Sequence, residues 1–228
     1  MARTFVMGDI HGACRALQQC LQRSGFDYEK DHLIALGDVC DGWPETRQAI
    51  EELMRVKNLT YILGNHDFWT LEWMRYDHAD DVWLDQGGEA TVNSFKETSF
   101  EKHQAFLEAA SPYFIDENKL FVHAGIDPSQ PVHQQSLQVF LWDRSLSRIA
   151  LEYFYQNIHR QHTSYDEVYI GHTPVPFPKP IQSGEIWLMD TGAGWSGVLS
   201  IMDIHSKEVF TSDPVPLLYP GVEGRRRK

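Results

Sequence analysis

Five short apolar runs in this chain each lead into the same kind of chemistry, and that regularity restricts the available folds more than any other feature. The runs 5–7, 33–36, 59–63, 120–122 and 168–170 are bounded by turn residues and read as buried strands. The first leads into Gly8-Asp9-Ile10-His11-Gly12 and the second into Gly37-Asp38-Val39-Cys40-Asp41-Gly42. The third leads into Gly64-Asn65-His66-Asp67, the fourth into His123-Ala124-Gly125, and the fifth into Gly171-His172-Thr173. Between the runs lie helical patterns. Residues 13–24 carry Leu17, Cys20, Leu21 and Ser24 on one stripe, with Gly25 as the stop. Pro44 opens a second helix with Ala49, Ile50, Leu53 and Met54 inward. Residues 68–76, 100–110 and 146–160 also suit helices, the last with Ile149, Tyr153, Phe154 and Ile158 aligned. A further strand is expected at 186–189, and 198–202 with 208–211 forms a hairpin around His205-Ser206-Lys207. The first half thus reads β-α-β-α-β and the last part mostly β, an α/β chain with parallel pairing and helices on the sheet faces.

In an open α/β sheet the carboxyl ends of parallel strands share one edge, where ligands bind. The five motifs would therefore converge although they are far apart in sequence. Carboxylate and amide oxygens and imidazole nitrogens are hard to borderline metal ligands. Each motif taken alone has an ordinary explanation. Gly-Asp is a common turn, and Gly64-Asn65-His66-Asp67 suits a helix N-cap through Asn65 or Asp67. All five together, each at a strand end, point to one shared site. The remaining histidines (32, 78, 103, 133, 159, 162 and 205) lack such a context and read as surface or satisfied core residues.

The bulk properties set limits around this reading. A length of 228 residues without a linker favours a single domain over residues 1–220. The proline-dense segment at Pro174, Pro176, Pro178 and Pro180 is read as a surface loop, because strand-like runs flank it. Apolar residues at 42 % are enough for a core. No apolar run approaches the length of about 18 residues that a membrane span needs, and 5–7 is too short for a signal-peptide core, so the expected address is the cytoplasm. Cys14, Cys20 and Cys40 agree, reading as free thiols of a reducing compartment. A net charge of −12 repels nucleic acid and anionic lipid, so a phosphate-bearing partner must be drawn in by a local positive feature such as bound metal. Residues 221–228, ending Arg225-Arg226-Arg227-Lys228, are expected to form a frayed basic tail.

Taken in order, the motifs Asp-x-His-Gly, Gly-Asp-x-x-Asp-Gly, Gly-Asn-His-Asp, His-Ala-Gly and Gly-His-Thr resemble those of the calcineurin-like metallophosphoesterases. The branch they resemble is that of the serine/threonine protein phosphatases, with its bacterial and phage members and the diadenosine tetraphosphate hydrolases. The resemblance runs from Asp9 to about Gly194. It implies a four-layer αββα sandwich with two mixed β-sheets. It also implies two divalent metal ions, manganese first, with iron or zinc as alternatives. Asp9 and His11 would bind the first metal, Asp38 would bridge both, and Asn65, His123 and His172 would bind the second. His66 would protonate the leaving oxygen, with Asp41 orienting it. Chemically, two cations roughly 3.5–4 Å apart clamp an in-line displacement by hydroxide, and a leaving alkoxide needs a proton that His is tuned to give near neutrality.

The sequence departs from that pattern at two places. Gly42 and Leu63 stand where phosphate-gripping arginines are usual in the protein phosphatases. Arg144, in Leu141-Trp142-Asp143-Arg144, is the candidate replacement; an ordinary ion pair with Asp143 is the alternative. The segment Asp190-Thr191-Gly192-Ala193-Gly194 is assigned a structural turn beside the site. The leading functional expectation is hydrolysis of phosphomonoesters such as phosphoserine and phosphothreonine in proteins. Alternatives are cleavage of dinucleoside polyphosphates, nucleotides or phosphodiesters, and a metal-binding scaffold without turnover. Retention of His66 and Asp41 argues against the scaffold, which would need neither.

Overall fold

Period-two alternation in the strands builds two sheets with three separate hydrophobic layers around them. The computed structural model of the protein describes residues 2–225. The first sheet holds β1 (Thr4–Met7), β2 (His32–Ala35) and β3 (Asn58–Tyr61) in parallel, with β9 (Ser200–Asp203) and β10 (Val209–Thr211) added antiparallel. Its order is β10-β9-β1-β2-β3. The second sheet runs β4-β5-β6-β8-β7, with β5 (Lys119–Val122), β6 (Glu167–Ile170) and β8 (Ile186–Leu188) parallel. Its edges, β4 (Tyr113–Asp116) and β7 (Ile181–Ser183), are antiparallel.

Alternate residues of each strand face opposite ways. In β1, Phe5 and Met7 join the outer core under the helices, while Val6 faces the second sheet. In β5, Leu120 and Val122 face outward, and Phe121 points between the sheets. The inter-sheet layer collects Val6, Ile34, Leu36, Ile62, Phe121, Tyr169, Met189 and Met202 from both sides. Phe121 stacks on Tyr169 with centroids 4.8 Å apart. Because both faces of the central strands are covered, they read as continuous apolar runs.

Helices close the outer faces. On the first sheet lie α1 (Cys14–Arg23), α2 (Thr46–Leu53) and α3 (Asn65–Tyr76). They are followed by the short helices α4 (Asp81–Trp83) and α5 (Glu89–Ser94), and by α6 (Glu101–Glu108). On the second sheet lie α7 (Leu137–Trp142) and α8 (Ser145–Gln156). A last short helix, α9 (Val215–Leu218), follows β10. The result is the expected four-layer arrangement of two mixed sheets between helices. The stripe on α1 is buried as expected, including Ser24, and Gly25 adopts φ +60 to end the helix. The segment 174–180 is a loop joining β6 to β7.

Three expectations need correction. Helix α8 stops at Asn157, which takes a left-handed φ of 54, and it buries Leu146, Ser147 and Ala150. Ile149, Phe154 and Ile158 are exposed. The apolar stripe in the sequence was therefore out of phase, because small residues pack closest to the sheet. Met54 likewise lies just past α2 and is exposed. The strands β4 and β7 are short edges that leave little apolar alternation to read. Among the described residues, no helix is long and apolar enough to cross a membrane.

The burial pattern predicts a contrast between two substitutions. Phe121→Ala should lower unfolding stability by about 3–5 kcal/mol through the cavity left between the sheets. Ile149→Ala should change it by no more than about 0.5 kcal/mol. Urea midpoints of the two variants measure this, and an equal loss at Ile149 would contradict the packing of α8.

Candidate metal centre

Every sequence motif sits where a parallel strand ends, and both sheets contribute. Asp9 and His11 follow β1, Asp38 and Asp41 follow β2, and Asn65 and His66 open α3 just after β3. His123 follows β5 and His172 follows β6 in the other sheet. Hydrogen bonds stitch the two halves together. His123 Nδ1 donates to the Leu36 carbonyl at 2.7 Å, and the His172 amide donates to both Asp9 carboxylate oxygens at 3.0 Å. Close approach demands glycine at two points. A Cβ on Gly64 would lie 2.1 Å from Asp38 Oδ1, and one on Gly171 would lie 2.3 Å from Asp9 Oδ1.

The tautomers follow from the backbone partners. A carbonyl only accepts, so His123 carries its hydrogen on Nδ1, and His11 does the same toward Cys40 at 3.1 Å. Both Nε2 atoms then present lone pairs inward. His123 Nε2 faces Asn65 Oδ1 at 3.0 Å and Asp38 Oδ2 at 3.4 Å. His11 Nε2 faces Asp38 Oδ2 at 3.7 Å and Asp9 Oδ2 at 3.9 Å. His172 Nε2 is buried without any hydrogen-bond partner. Acceptors that face one another lack the hydrogens to bond, and a cation is what such a cage fits. Two groups of ligand atoms, each within 4.8 Å of one another, share Asp38: one with His11 and His66, the other with His123 and His172. The sharing of Asp38 fits a pair of ions bridged by one carboxylate.

His66 is committed differently. Its Nδ1 lies 2.6 Å from Asp41 Oδ2, and its ring packs edge-on against His11 and Trp69. Asp41 is fully buried and accepts from Trp83 Nε1 and Thr91 Oγ1, each at 2.7 Å. A third carboxylate organises the backbone. Asp67 caps α3 by accepting from the Gly64 amide, and it also accepts from the Asp38 and Cys40 amides and the Tyr61 hydroxyl. Of the two candidate caps in that motif, Asp67 has the role, while Asn65 turns its oxygen into the cage. His11, Asp38, Asp41 and His172 all hold positive φ, between 50 and 71. Such conformations cost of order 1–3 kcal/mol each and persist only where the surroundings impose them.

Burial dominates the charge balance of the cage. Burial, then Asp190 and Asp38, hold the Asp9 carboxyl well above the ordinary range. Burial, then Asp67, do the same to Asp38. Burial pushes Asp41 up to about 7 against the pull of Thr91 and Trp83, and Asp190 up to about 6. The imidazoles move the other way: burial lowers His11, His66 and His172, and takes His123 down to about 3. Acids and bases alike are pushed toward their neutral forms, and burial is the first cause in each case.

The remaining expectations divide. Arg144 does not pair with Asp143, whose carboxylate instead accepts from Ser145. Its Nη1 donates to the His172 carbonyl and Thr173 Oγ1 at 3.0 Å, which sets the guanidinium beside the cage. Asp190 forms the expected turn, accepting from the Gly192 amide at 2.9 Å. The frayed tail needs correction at its start: Gly224 packs on Trp43, and Arg225 enters the site, with Nη1 3.2 Å from His11 Nε2. Residues 226–228 lie outside the described residues. The roles of Asp67, Thr91, Trp83 and Arg225 were not drawn from the sequence. Trp83 and Thr91 lie on the short helices α4 and α5, with no strand or motif to mark them.

Comparison with known proteins agrees with this geometry. The family profile for calcineurin-like phosphoesterases matches residues 2–196. Serine/threonine-protein phosphatase 1 of Salmonella typhimurium is 26 % identical over 205 residues, covering 88 % of this chain and 91 % of the relative. A symmetrical bis(5'-nucleosyl)-tetraphosphatase of Coxiella burnetii is 34 % identical over 68 residues, 30 % of this chain and 23 % of the relative. A crystal structure of a protein classed as a diadenosine tetraphosphatase superposes with a TM-score of 0.70 at 18 % identity, covering 93 % of both chains.

The charge balance yields a test. Above about pH 7.5, a unit over the ordinary histidine value, the histidines are neutral whether folded or unfolded, so the raised carboxyls govern the pH dependence. A folded acid with a raised pKa binds more protons than its unfolded form, so stability falls as pH rises. Protein stripped by a chelator should therefore melt lower at pH 8.5 than at pH 7.5. Added Mn²⁺ should restore the loss, with its largest effect at pH 8.5. A melting temperature that does not respond to Mn²⁺ in scanning calorimetry would contradict the cage.

Proposed function

This chain belongs to the calcineurin-like phosphoesterase family, and from that premise we propose that it hydrolyses phosphomonoesters, with phosphoserine and phosphothreonine in proteins as substrates. The single observation that supports this reading best is the buried His66–Asp41 pair beside Asp38. A serine or threonine alkoxide is a poor leaving group and requires a proton. A serine/threonine-protein phosphatase aligns along 91 % of its own length, whereas a symmetrical bis(5'-nucleosyl)-tetraphosphatase of Nitrosomonas europaea aligns over 139 residues, 48 % of its length.

In this reading Asp9 and His11 would hold one divalent cation, Asn65, His123 and His172 would hold a second, and Asp38 would serve both. Manganese suits the mixed nitrogen and oxygen set, with iron and zinc as alternatives. The cations supply Lewis-acid activation of water and neutralisation of phosphate charge when bound. The protein's own groups do the rest. Asp41 takes the Nδ1 hydrogen of His66, which leaves Nε2 directed into the site. Burial raises Asp41 and lowers His66, while donation from Trp83 and Thr91 favours the carboxylate form of Asp41, whose charge would in turn hold the pair's extra proton on His66 Nε2. His66 delivers that proton to the departing ester oxygen. Arg144, fixed by the His172 carbonyl and Thr173, grips the phosphate from the His172 side. The buried thiols Cys14, Cys20 and Cys40 suit a reducing compartment, so we place the protein in the cytoplasm.

Purified protein loaded with Mn²⁺ should hydrolyse an aryl phosphate monoester and a phosphoserine peptide. Turnover confined to a dinucleoside polyphosphate or a diester would replace this substrate reading with the alternative one. His66→Asn should lower kcat on the phosphopeptide by about 10²–10⁴-fold, the usual share of general acid catalysis. Metal content by elemental analysis should stay intact, and its loss would remove His66 from the acid role.

A further inference from the structure

The guanidinium of Arg225 stands at the His11 side of the cage with donors to spare. Its two terminal nitrogens make long contacts to neutral groups, Nη1 at 3.2 Å from His11 Nε2 and Nη2 at 3.3 Å from Gln86 Oε1. Its Nε is buried without a hydrogen-bond partner. A guanidinium carries five N–H donors and is always charged, so half-burying it with Nε unpartnered is costly unless an anion joins it.

The position is built rather than incidental. The Arg225 amide donates to the Gly194 carbonyl at 3.1 Å, and Gly224 packs so tightly on Trp43 that a Cβ there would lie 2.7 Å from the ring. Trp43 is itself fixed, donating from Nε1 to the Ala193 carbonyl at 2.7 Å and stacking on Tyr219. The side-chain stem lies in a slot floored by Gly42 and Gly87. A Cβ on either would come within 3.1–3.2 Å of Arg225 Cγ. Trp195 covers the guanidinium, with its ring centre 4.6 Å from Cζ. Residue 42 directly follows Asp41, so the slot opens onto the acid pair.

We propose that Arg225 is a substrate-binding residue that grips the phosphate from the His11 side, opposite Arg144. This rests on the phosphoesterase reading above. The two guanidiniums flank the halves of the cage: Arg144 is tied to the His172 carbonyl, and Arg225 lies against His11. A phosphate lying over the cage has three non-bridging oxygens, enough for both planar forks. His11 would turn its Nε2 lone pair, which Nη1 now contacts, to a divalent cation, and Nη1 would then be free for the substrate. The chain thus supplies from residue 225 a guanidinium for the space above a glycine at residue 42.

The test uses Mn²⁺-loaded protein and inorganic phosphate as the probe. Arg225→Ala should weaken phosphate binding, measured by calorimetry, by about 10–100-fold, the worth of a charge-assisted hydrogen bond. KM for a phosphomonoester should rise by a similar factor with a smaller change in kcat. Arg225→Lys should recover part of the loss, because charge returns without the planar fork. Bound metal should match the wild type. Unchanged phosphate binding overturns the proposal, and so does loss of metal. Higher activity in Arg225→Ala would also overturn it, because the guanidinium would then be an obstruction. Phosphate binding is read independently of turnover. A wild-type protein that binds phosphate through Arg225 but hydrolyses no monoester would therefore count against the proposed reaction alone.

Discussion

Lone pairs that converge without hydrogens to meet them are costly in a buried site, and the architecture around the five strand ends is organised to bring them together nonetheless. His123 Nε2 and Asn65 Oδ1 stand 3.0 Å apart, and Asp38 is shared between two ligand groups. Backbone carbonyls at Leu36 and Cys40 occupy the outer nitrogens of His123 and His11, which forces the inner ones to be acceptors. The second requirement is rigidity. Four site residues sit at left-handed φ, and Asp67 ties the backbone of the second motif to the start of α3. That strain is tolerable because the strands behind it are fully buried in three apolar layers.

The same logic separates the proposed ligands from the proposed proton donor. His66 resembles the other histidines in sequence, and its inner nitrogen also approaches Asp38. What distinguishes it is Asp41, a carboxylate supplied with its own two donors and held within hydrogen-bond distance of Nδ1. A backbone carbonyl orients an imidazole, whereas a buried carboxylate also offers it charge. That difference between His66 and His123 gives each a separate chemistry.

Much of this was legible in the sequence because strand-end motifs are local. A short apolar run followed by Gly and a ligand fixes both the element and the place of the ligand, so Asp9, His11, Asp38, Asn65, His66, His123 and His172 all fell at the expected edge. The sheet class followed from the same runs. Phase and edges were less readable. On α8 the small residues Ser147 and Ala150 face the sheet while Ile149 and Phe154 are exposed, so hydrophobicity alone pointed the wrong way. Residues that act through tertiary contacts had no local mark. Trp83 and Thr91 reach Asp41 from the short helices α4 and α5, and Arg225 looked like part of a basic tail because nothing nearby in sequence announces the slot at Gly42 and Gly87.

The division of the cage between two sheets has a mechanical consequence. Asp9, His11, Asp38 and Asn65 belong to one half of the sandwich, and His123 and His172 to the other. A bound ion pair is therefore also a rivet through the sandwich, and the energy of holding ions is the energy of holding the layers in register. Any sliding of one sheet over the other disassembles the reactive centre before it unravels a single strand.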